Sequence, residues 1–459
     1  MPALAVLVRL RGWRAFAAGS VAGAALHVAL YPWLAGTLAR FSNLSPLASA
    51  GVLALFAIAH GLFVGVFAAG LAPLRRIGAA WPFAAAAWFT ACEFLHPQIF
   101  PVFQGSFWYR VAPLFPIVSL TGVSGLTFLA LLANALLLQA IEHRHVFAAS
   151  WITAALLVAG ALAWSAHRDA AIAAAEASAE PLRVAIVQPN LDRRESRALG
   201  RRVAETLAAQ SREALDRDAA IAVVVWPEAA LPTPPDDPIQ GAALALVAER
   251  RVELWTGAAR RERAPARVYN AAYRVDREGR VASRYDKRLL VPFGEYVPGR
   301  ARFGWLRGLE GPGETTPGDA DAVADAPFGR FAFLICYEAI LAGPVRDAAR
   351  GGAELLVNLT YDGWFGRGME PQQHLMLAAG KAAEAGVPLV RATTTGVSAF
   401  VDARGAIVAA SRDGERTVLV ADVRPLSVAS PWTAWGDWFA WSCVAVSALL
   451  LAVGTRRRA

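Results

Sequence analysis

One cysteine of this chain stands at the end of an apolar run, where its thiol could do chemistry. The run 329–335 stops abruptly at Cys336. Runs of β-branched and aromatic residues that end in polar side chains are typical of buried strands whose last residues enter a cleft. The other two cysteines, Cys92 and Cys443, lie in strongly apolar stretches. Cys336 therefore has no evident disulfide partner and is a candidate nucleophile.

A carboxylate and a lysine follow strand-like runs in the same half of the chain. Glu228 ends the run 223–228, and Lys287 lies in the motif 285–295. A cysteine attacks as its thiolate, so it needs a base or a lowered pKa. Glu228 could accept the thiol proton. The Lys287 ammonium could stabilise both the thiolate and the oxyanion that forms when the thiolate adds to a carbonyl.

Lysine is rare in this chain, which gives Lys287 additional weight. Only Lys287 and Lys381 are lysines among 45 basic residues. A lysine supplies a compact charge or a mobile proton, which a guanidinium does not. Taken singly, each residue has a simpler explanation, because a buried cysteine is usually part of a core and a strand-end Glu or Lys is usually a surface charge. The order Glu, Lys, Cys favours a site, whereas Lys381, on a predicted amphipathic helix, is expected to be solvated.

The composition indicates a membrane protein with a second, polar domain. Of the 459 residues, 56% are hydrophobic, and the mean hydropathy of +0.38 is too high for an ordinary soluble protein. The net charge of +8 does not predict nucleic-acid binding, because the basic residues form no cluster with interleaved aromatics. The cysteines lack paired spacing and only His374 lies well inside the polar half, so we expect neither a metal site nor a cofactor.

About five apolar stretches of spanning or near-spanning length lie within residues 1–167, since roughly 20 residues cross the hydrocarbon core. A further stretch lies near the C-terminus. The stretches are near 15–35, 47–73, 77–96, 112–141, 146–166 and 437–454. Glu93 interrupts the third, and we expect it at the membrane interface because His96 and Pro97 follow at once.

The arginines predict the orientation of these spans. Arg9, Arg11 and Arg14 precede the first stretch, and Arg456, Arg457 and Arg458 follow the last. By the positive-inside rule both ends are cytoplasmic, and an odd number of N-terminal spans exports the domain that follows. The polar domain is therefore expected outside the cytoplasm.

The polar domain, 181–426, follows an Ala-rich segment, 168–180, that we interpret as a helical linker. The domain alternates strand-like runs with amphipathic helical patterns, which predicts an α/β layered domain around buried sheets. The candidate strands are 182–188, 220–228, 252–257, 269–276, 331–337, 354–359, 387–392, 397–402 and 418–423. The candidate helices are 195–217, 238–250, 342–350 and 371–385.

Several short motifs occur in a recognisable order. They are Trp226-Pro227-Glu228, Tyr269-Asn270, Asp286-Lys287, Pro292-Phe293-Gly294-Glu295, Ile335-Cys336-Tyr337-Glu338, Asn358, Trp364-Phe365-Gly366, Gln373-His374 and Arg391-Ala392-Thr393. On these motifs the chain resembles the nitrilase, or carbon-nitrogen hydrolase, superfamily, and within it the membrane branch of apolipoprotein N-acyltransferases. The resemblance implies an α-helical transmembrane bundle plus an α/β nitrilase-like domain, an αββα sandwich.

The resemblance also implies roles for the residues of these motifs. Glu228 would be the general base, Lys287 would stabilise the tetrahedral intermediate, and Cys336 would be the acylated nucleophile. Four further residues match the family's motifs and are expected to support the site: Asn270, Glu295, Tyr337 and Glu338. Glu295 would be the family's second carboxylate, and the Tyr337 backbone N–H would be an oxyanion donor.

The reaction implied by the resemblance is a two-step acyl transfer. Cys336 would take an acyl chain from a phospholipid as a thioester and pass it to the α-amine of a lipoprotein's diacylglyceryl cysteine. The resemblance places such an enzyme in the bacterial inner membrane, with its catalytic domain in the periplasm. We expect a monomer that needs no cofactor.

Two other functions remain open from the sequence. A membrane-tethered amidase could use the same three residues on a small soluble amide or nitrile. A catalytically silent nitrilase-like scaffold could bind lipoproteins or other envelope partners, although the intact Glu228, Lys287 and Cys336 disfavour it. Trapping an acyl group on Cys336 would discriminate between the enzyme and the scaffold.

Overall fold

The computed structural model of the protein describes residues 2–41, 44–143, 148–191, 197–237, 241–299, 315–366 and 368–456. Arg457 and Arg458, two of the arginines used to predict orientation, lie outside these ranges. The chain divides into two compact units. A helical unit comprises Met1–Ala39, Leu44–Ala170 and Ser430–Ala459, and an α/β unit comprises Arg40–Asn43 and Ala171–Ala429.

The described part of the helical unit contains helices, whereas the α/β unit contains all twelve described strands together with further helices. The helices are α1 (Pro2–Leu7), α2 (Gly12–Leu30), α3 (Pro32–Phe41), α4 (Pro46–Arg75), α5 (Trp81–Leu95), α6 (Val118–Thr121), α7 (Val123–His143), α8 (Ala148–Ser178), α9 (Arg197–Arg217), α10 (Gly241–Arg250), α11 (Ala342–Arg350), α12 (Met369–Ala385), α13 (Pro431–Trp435) and α14 (Trp438–Arg456). The strands are β1 (Leu182–Gln188), β2 (Val223–Val225), β3 (Glu253–Arg263), β4 (Ala266–Val275), β5 (Val281–Asp286), β6 (Val323–Ala326), β7 (Gly329–Ile335), β8 (Leu355–Thr360), β9 (Leu389–Thr393), β10 (Ala399–Val401), β11 (Ile407–Ala410) and β12 (Thr417–Val423).

Four helices of the described chain, α4, α7, α8 and α14, are long and apolar enough to cross a membrane. Helices α2 and α3 pass the same test when taken together and are bent by 58° at the break between them, as in a broken span or a re-entrant loop. The structure differs from the predicted spans in two places. The stretch near 77–96 contains α5, whose 15 residues are fewer than a straight crossing needs. The stretch near 112–141 is interrupted at Gly122, whose φ of 63° ends α6 before α7 begins.

Helices α2 and α4 approach each other closely because glycines line their contact. A Cβ added at Gly19 would lie 2.6 Å from the carbonyl oxygen of Val64, and one at Gly61 would lie 2.5 Å from that of Ser20. Small residues let the backbones of apolar helices meet and gain dispersion contacts that larger side chains would prevent. The pair therefore depends on glycine at these two positions.

Glu93 faces the interior of the helical unit, so the expectation of an interfacial position is wrong. Its side chain is buried. One carboxylate oxygen accepts a hydrogen bond from the backbone N–H of Gln104 at 2.7 Å, and the other accepts one from Thr127 Oγ1 at 2.8 Å. A carboxylate removed from water needs such donors. Through these two hydrogen bonds, Glu93 connects the segment at Gln104 to α7.

The α/β unit contains two six-stranded sheets. Their strand orders are β12-β1-β2-β3-β4-β5 and β11-β10-β9-β8-β7-β6. One apolar core lies between the sheets, where Trp255 stacks on Phe331 with ring centroids 4.8 Å apart. A second core covers the outer face of the first sheet with α9 and α10, while α11 and α12 pack against the second sheet. The expected αββα sandwich is confirmed.

Lys381 is buried in α12, which contradicts its expected solvation. Most of α12 is covered, so the polar face predicted from the sequence does not meet water. The Lys381 ammonium forms an ion pair with Glu384, which is also buried. A buried charge is tolerated when an opposite charge pairs with it in this way.

Candidate active site

The three residues predicted to act in catalysis follow the carboxyl ends of three strands. Glu228 follows β2, Lys287 follows β5 and Cys336 follows β7. The Lys287 ammonium interacts electrostatically with both Cys336 and Glu228, and Cys336 interacts with both of the others. All three side chains are buried. The structure therefore brings a carboxylate, an ammonium and a thiol together in one interior site.

Lys287 is held as an ammonium by the carboxylates around it. Its Nζ lies 2.7 Å from Glu295 Oε2, and the Lys287 side chain is 1% exposed. Burial opposes the charged form, but the charges of Glu295 and Glu228 outweigh that effect and hold the pKa of Lys287 above its usual value. Lys287 is consequently a fixed positive charge beside the thiol, suited to stabilising an oxyanion and not to proton transfer.

Asn270 links the two carboxylates of the site. Its Nδ2 donates to Glu228 Oε1 at 2.6 Å and to Glu295 Oε1 at 3.3 Å. Glu295 Oε2 also accepts from the backbone N–H of Val291 at 2.9 Å. These contacts fix the orientation of Glu228 and place Glu295 against Lys287. Asn270 and Glu295 thus contact Glu228 and Lys287 directly.

The backbone of Cys336 has an uncommon conformation. Its φ is +52°, in the left-handed region that L-residues enter at an energetic cost. Ala229, directly after Glu228, has a φ of +46°, and Phe293 in the loop before Glu295 has a φ of +63°. Strained backbone is retained where the surrounding structure determines a functional geometry. At Cys336 it turns the chain directly from β7 into the buried 3₁₀ turn Cys336–Ile340.

Cys336 rests as a neutral thiol. Burial raises the pKa of Cys336 and the negative charge of Glu228 adds to the effect, while Lys287 opposes both. A thiol of this kind attacks only if a base removes its proton during the reaction. The Glu228 carboxylate, the base predicted from the sequence, acts electrostatically on Cys336.

Glu338 joins the segments that carry Lys287 and Cys336. It is fully buried. Its carboxylate accepts four hydrogen bonds: Oε1 from Tyr285 Oη at 2.8 Å, Arg288 N at 2.8 Å and Leu289 N at 3.0 Å, and Oε2 from Ile335 N at 2.9 Å. Three of these donors flank Lys287 in sequence, and the fourth directly precedes Cys336. Glu338 is therefore a clamp, in the sense that its carboxylate bonds the segment after β5 to the end of β7.

Replacing Glu338 with glutamine is expected to loosen this clamp. The amide would place an N–H group opposite the Ile335 N–H, and an unsatisfied buried donor costs about 1–3 kcal/mol. We expect a lower melting temperature in detergent and slower acylation of Cys336. Glu278→Gln, a substitution of a partly exposed carboxylate in the same unit, should change neither quantity. Unchanged melting and acylation in Glu338→Gln would contradict the clamp.

A polar cluster next to the site was not assigned a role from the sequence. Asp362 accepts two hydrogen bonds from Arg391 Nη2, at 2.9 and 2.8 Å, and its Oδ1 lies 3.1 Å from His374 Nδ1. Glu370 Oε1 lies 3.6 Å from the same nitrogen. The matches of His374 and Arg391 to family motifs were the signal available, but the motifs lie on separate elements and do not reveal the contact.

Asp362, Glu370 and His374 also meet the distance requirement for a metal site, because their potential ligand atoms all lie within 4.8 Å of one another. Within the described ranges of the chain, they are the one group of three His, Cys, Asp or Glu residues that meets this requirement. However, the Arg391 guanidinium already neutralises Asp362 from 2.8 Å. A divalent cation would meet this positive charge at close range, so the arrangement is better described as an ion-pair network.

Two family models match the chain. A model described as carbon-nitrogen hydrolase matches residues 183–431. A model described as the apolipoprotein N-acyltransferase N-terminal domain matches residues 1–136. Among solved structures, a member of branch 10 of the nitrilase superfamily from Saccharomyces cerevisiae is 18% identical, with a TM-score of 0.43 over 54% of this chain and 91% of that chain.

Relatives with established names match across both units. The apolipoprotein N-acyltransferase of Geobacter metallireducens is 32% identical over 97% of this chain and 88% of its own length. That of Bradyrhizobium diazoefficiens is 34% identical over 75% of this chain and 67% of its own length. The match therefore includes the apolar N-terminal segment as well as the domain that holds Cys336. The chain belongs to the apolipoprotein N-acyltransferase family of carbon-nitrogen hydrolases and is a bacterial membrane acyltransferase.

Proposed function

We propose that this enzyme moves an acyl chain from a phospholipid to the N-terminal amine of a diacylglyceryl-cysteine lipoprotein, through a thioester on Cys336. Family membership supports the acyl transfer. The observation that carries the mechanism is the burial of the Cys336 thiol with the Glu228 carboxylate and the Lys287 ammonium. Glu228, Lys287 and Cys336 are the catalytic residues of this proposal.

In the first step Cys336 is acylated. Glu228 accepts the thiol proton as Sγ adds to the ester carbonyl of the phospholipid, and the negative charge moves to the carbonyl oxygen. Lys287 Nζ and the Tyr337 backbone N–H stabilise this oxyanion. When the intermediate collapses, the carbon–oxygen bond breaks and the lysophospholipid leaves with the proton that Glu228 held. The products are a thioester on Cys336 and a neutral lysophospholipid.

In the second step the amine of the acceptor takes the acyl group. Its nitrogen adds to the thioester carbonyl while Glu228 accepts one of its protons, and the same donors stabilise the second oxyanion. The carbon–sulfur bond then breaks, and the proton on Glu228 passes to the departing Sγ. The amide product forms and Cys336 returns to its neutral thiol. Burial of the three residues supports this route, because water would otherwise hydrolyse the thioester.

Acyl transfer can be tested with the purified protein in detergent. A phospholipid labelled in its acyl chain should label the protein with a group that neutral hydroxylamine releases. Addition of a diacylglyceryl-cysteine peptide should move the label to the peptide amine, while an N-acetylated copy of the peptide should accept none. Hydrolysis of small amides without labelling by phospholipid would favour the amidase, and an absence of both reactions would favour the silent scaffold.

We also propose that the 181–426 domain is periplasmic and that the flanking apolar helices, including those of the 1–167 bundle and the 437–454 stretch, lie in the inner membrane. Arg456, Arg457 and Arg458 follow the last apolar stretch, so by the positive-inside rule the C-terminus is cytoplasmic and the domain before this single span is outside. Arg277 is exposed on the α/β unit and Thr455 is exposed near the end of α14. In spheroplasts, a membrane-impermeant maleimide should label Arg277→Cys, whereas Thr455→Cys should react only after permeabilisation. Labelling in the reverse pattern would refute the orientation.

A further inference from the structure

The Tyr337 N–H and the Cys336 carbonyl belong to the same peptide group. A trans peptide is planar, so its N–H and C=O point in opposite directions. The bond between these residues is trans, since the cis bond of the described chain is Ala264–Pro265. Any group that holds the Cys336 carbonyl therefore also sets the direction of the Tyr337 N–H, the expected oxyanion donor.

Asn358 on β8 holds this carbonyl. Its Nδ2 donates to the Cys336 oxygen at 3.3 Å and to the Leu334 oxygen at 2.9 Å. The Asn358 side chain is completely buried, and β8 pairs in parallel with β7, with Leu334 opposite Asn358. The Asn358 amide therefore donates to two carbonyl oxygens at the carboxyl end of β7, the strand that precedes the nucleophile.

Arg391 fixes which way the Asn358 amide points. Its Nη1 donates to Asn358 Oδ1 at 2.6 Å. A guanidinium only donates hydrogen bonds, so the oxygen of the amide must face it and the NH₂ group must face Cys336. Arg391 is itself completely buried and is held by the two hydrogen bonds to Asp362.

Asp362 remains ionised in this network. Burial acts to raise the pKa of Asp362, but Arg391 and His374 outweigh burial and hold it below its usual value. Burial lowers the pKa of His374 and Arg391 adds to that effect, so the imidazole is neutral. His374 Nδ1 lies 3.1 Å from Asp362 Oδ1, and the imidazole also forms a hydrogen bond with the backbone of Cys336. The chain of contacts runs from Asp362 through Arg391 and Asn358 to the Cys336 carbonyl.

We propose that Asn358, fixed by Arg391 and Asp362, is a positioning residue that aims the Tyr337 N–H at the oxyanion of the acyl-transfer reaction. The strained φ of Cys336 makes such an anchor necessary, because without it the peptide group could rotate towards a relaxed conformation. The inference rests on the proposed function, since the oxyanion forms only when Cys336 attacks an acyl donor.

Two reactions of Cys336 Sγ distinguish a misdirected Tyr337 N–H from a displaced Cys336 side chain. Acylation by a phospholipid or by a p-nitrophenyl ester passes through an oxyanion and releases an alcohol or p-nitrophenolate. Alkylation by iodoacetamide displaces iodide directly and forms no oxyanion. The alkylation rate reports the thiolate fraction and the access of a reagent to Cys336, so a variant that slows acylation and spares alkylation has lost a group that acts on the oxyanion. The modified Cys336 peptide is quantified by mass spectrometry in each case.

Asn358→Asp tests the proposal because the near-isosteric carboxylate keeps an oxygen for Arg391 and removes the donor to Cys336. We expect the ratio of acylation to alkylation to fall by about 10²-fold, the effect of losing one oxyanion donor. Arg391→Lys should lower the same ratio to a smaller degree, because one ammonium cannot serve both Asn358 and Asp362 with the geometry of a guanidinium.

Glu253→Gln is the matched control. It breaks another buried ion pair of the α/β unit, in which Glu253 Oε1 lies 2.6 Å from Arg274 Nη2. This variant should melt at a lower temperature and keep the wild-type ratio. An unchanged ratio in Asn358→Asp would overturn the proposal, as would an equal loss of both reactions, which would mean that Cys336 itself had moved. A stoichiometric metal ion lost on substituting Asp362 would also overturn it.

Because two acyl donors are used, a phospholipid and a p-nitrophenyl ester, failure of this inference can be distinguished from failure of the proposed function. If phospholipid fails to acylate the wild-type protein, the proposed function fails. The p-nitrophenyl ester would still report whether Asn358 orients the oxyanion donor.

Discussion

Replacing Cys336 with alanine is expected to abolish covalent labelling of the protein by acyl-labelled phospholipid. No other side chain of the site can form the thioester, so no acyl-enzyme should accumulate and no label should reach an acceptor peptide. Cys92→Ala and Cys443→Ala should be labelled as the wild type is, because both cysteines belong to the helical unit.

A serine at position 336 sharpens this test. The hydroxyl is a weaker nucleophile at neutral pH than the thiol, so labelling should be slow. Any acyl group that forms would be an oxygen ester, which resists neutral hydroxylamine, whereas the thioester on Cys336 is released. Undiminished, hydroxylamine-sensitive labelling of Cys336→Ala would show that another residue is acylated.

Strands with a strong apolar pattern were predictable from the sequence, while short edge strands were not. The run 182–188 coincides with β1, which is buried except at Arg183 and lies between two strands. Strands β6 and β11 lie at the edges of the second sheet and are rich in alanine, which has a weak β-propensity. Strand β5 carries an arginine and an aspartate and depends on its pairing with β4. Long-range pairing determines these three strands, and no local pattern reveals it.

The second predicted strand is shorter in the structure than its apolar pattern predicted. The run 220–228 was interpreted as one strand, but β2 ends at Val225. Pro227 has no N–H to donate to a neighbouring strand, which prevents the ladder from continuing. The residues after β2 instead turn, with Ala229 in a left-handed conformation, and this turn directs the Glu228 carboxylate towards Asn270.

The residues that carry the proposed chemistry were easier to predict than the contacts that position them. A thiol, a carboxylate and a lysine at strand ends suggest a mechanism by their residue types alone. Their support comes from contacts between distant positions, such as Glu338 with Tyr285 and Asn358 with Arg391. Spacing in the sequence does not encode these contacts, because they arise when the strands of a sheet are brought into register.

Removal of the base should have the second largest effect on the reaction. Glu228→Gln keeps an oxygen that can accept the hydrogen bond from Asn270 Nδ2, but its amide cannot take a proton from Cys336. General-base catalysis typically contributes 10²- to 10⁴-fold. We expect acylation of Cys336 at neutral pH to fall by about that factor, while Glu262→Gln, which removes a more exposed carboxylate from β3, should change it little.

The pH dependence identifies Glu228 as the base more securely than the loss of rate does. Burial raises the pKa of Cys336, so the thiolate is scarce at neutral pH and its fraction increases tenfold with each pH unit below that pKa. Without Glu228, acylation must draw on this fraction and should accelerate as the pH rises from about 6 to 9. Because the Glu228 charge itself helps to raise the pKa of Cys336, its removal moves the recovery to lower pH. The wild-type rate should vary less over the same range, since Glu228 removes the proton within the transition state. Parallel pH profiles for the two proteins would mean that Glu228 contributes only charge or position, and the proton would then have to leave Cys336 by another route.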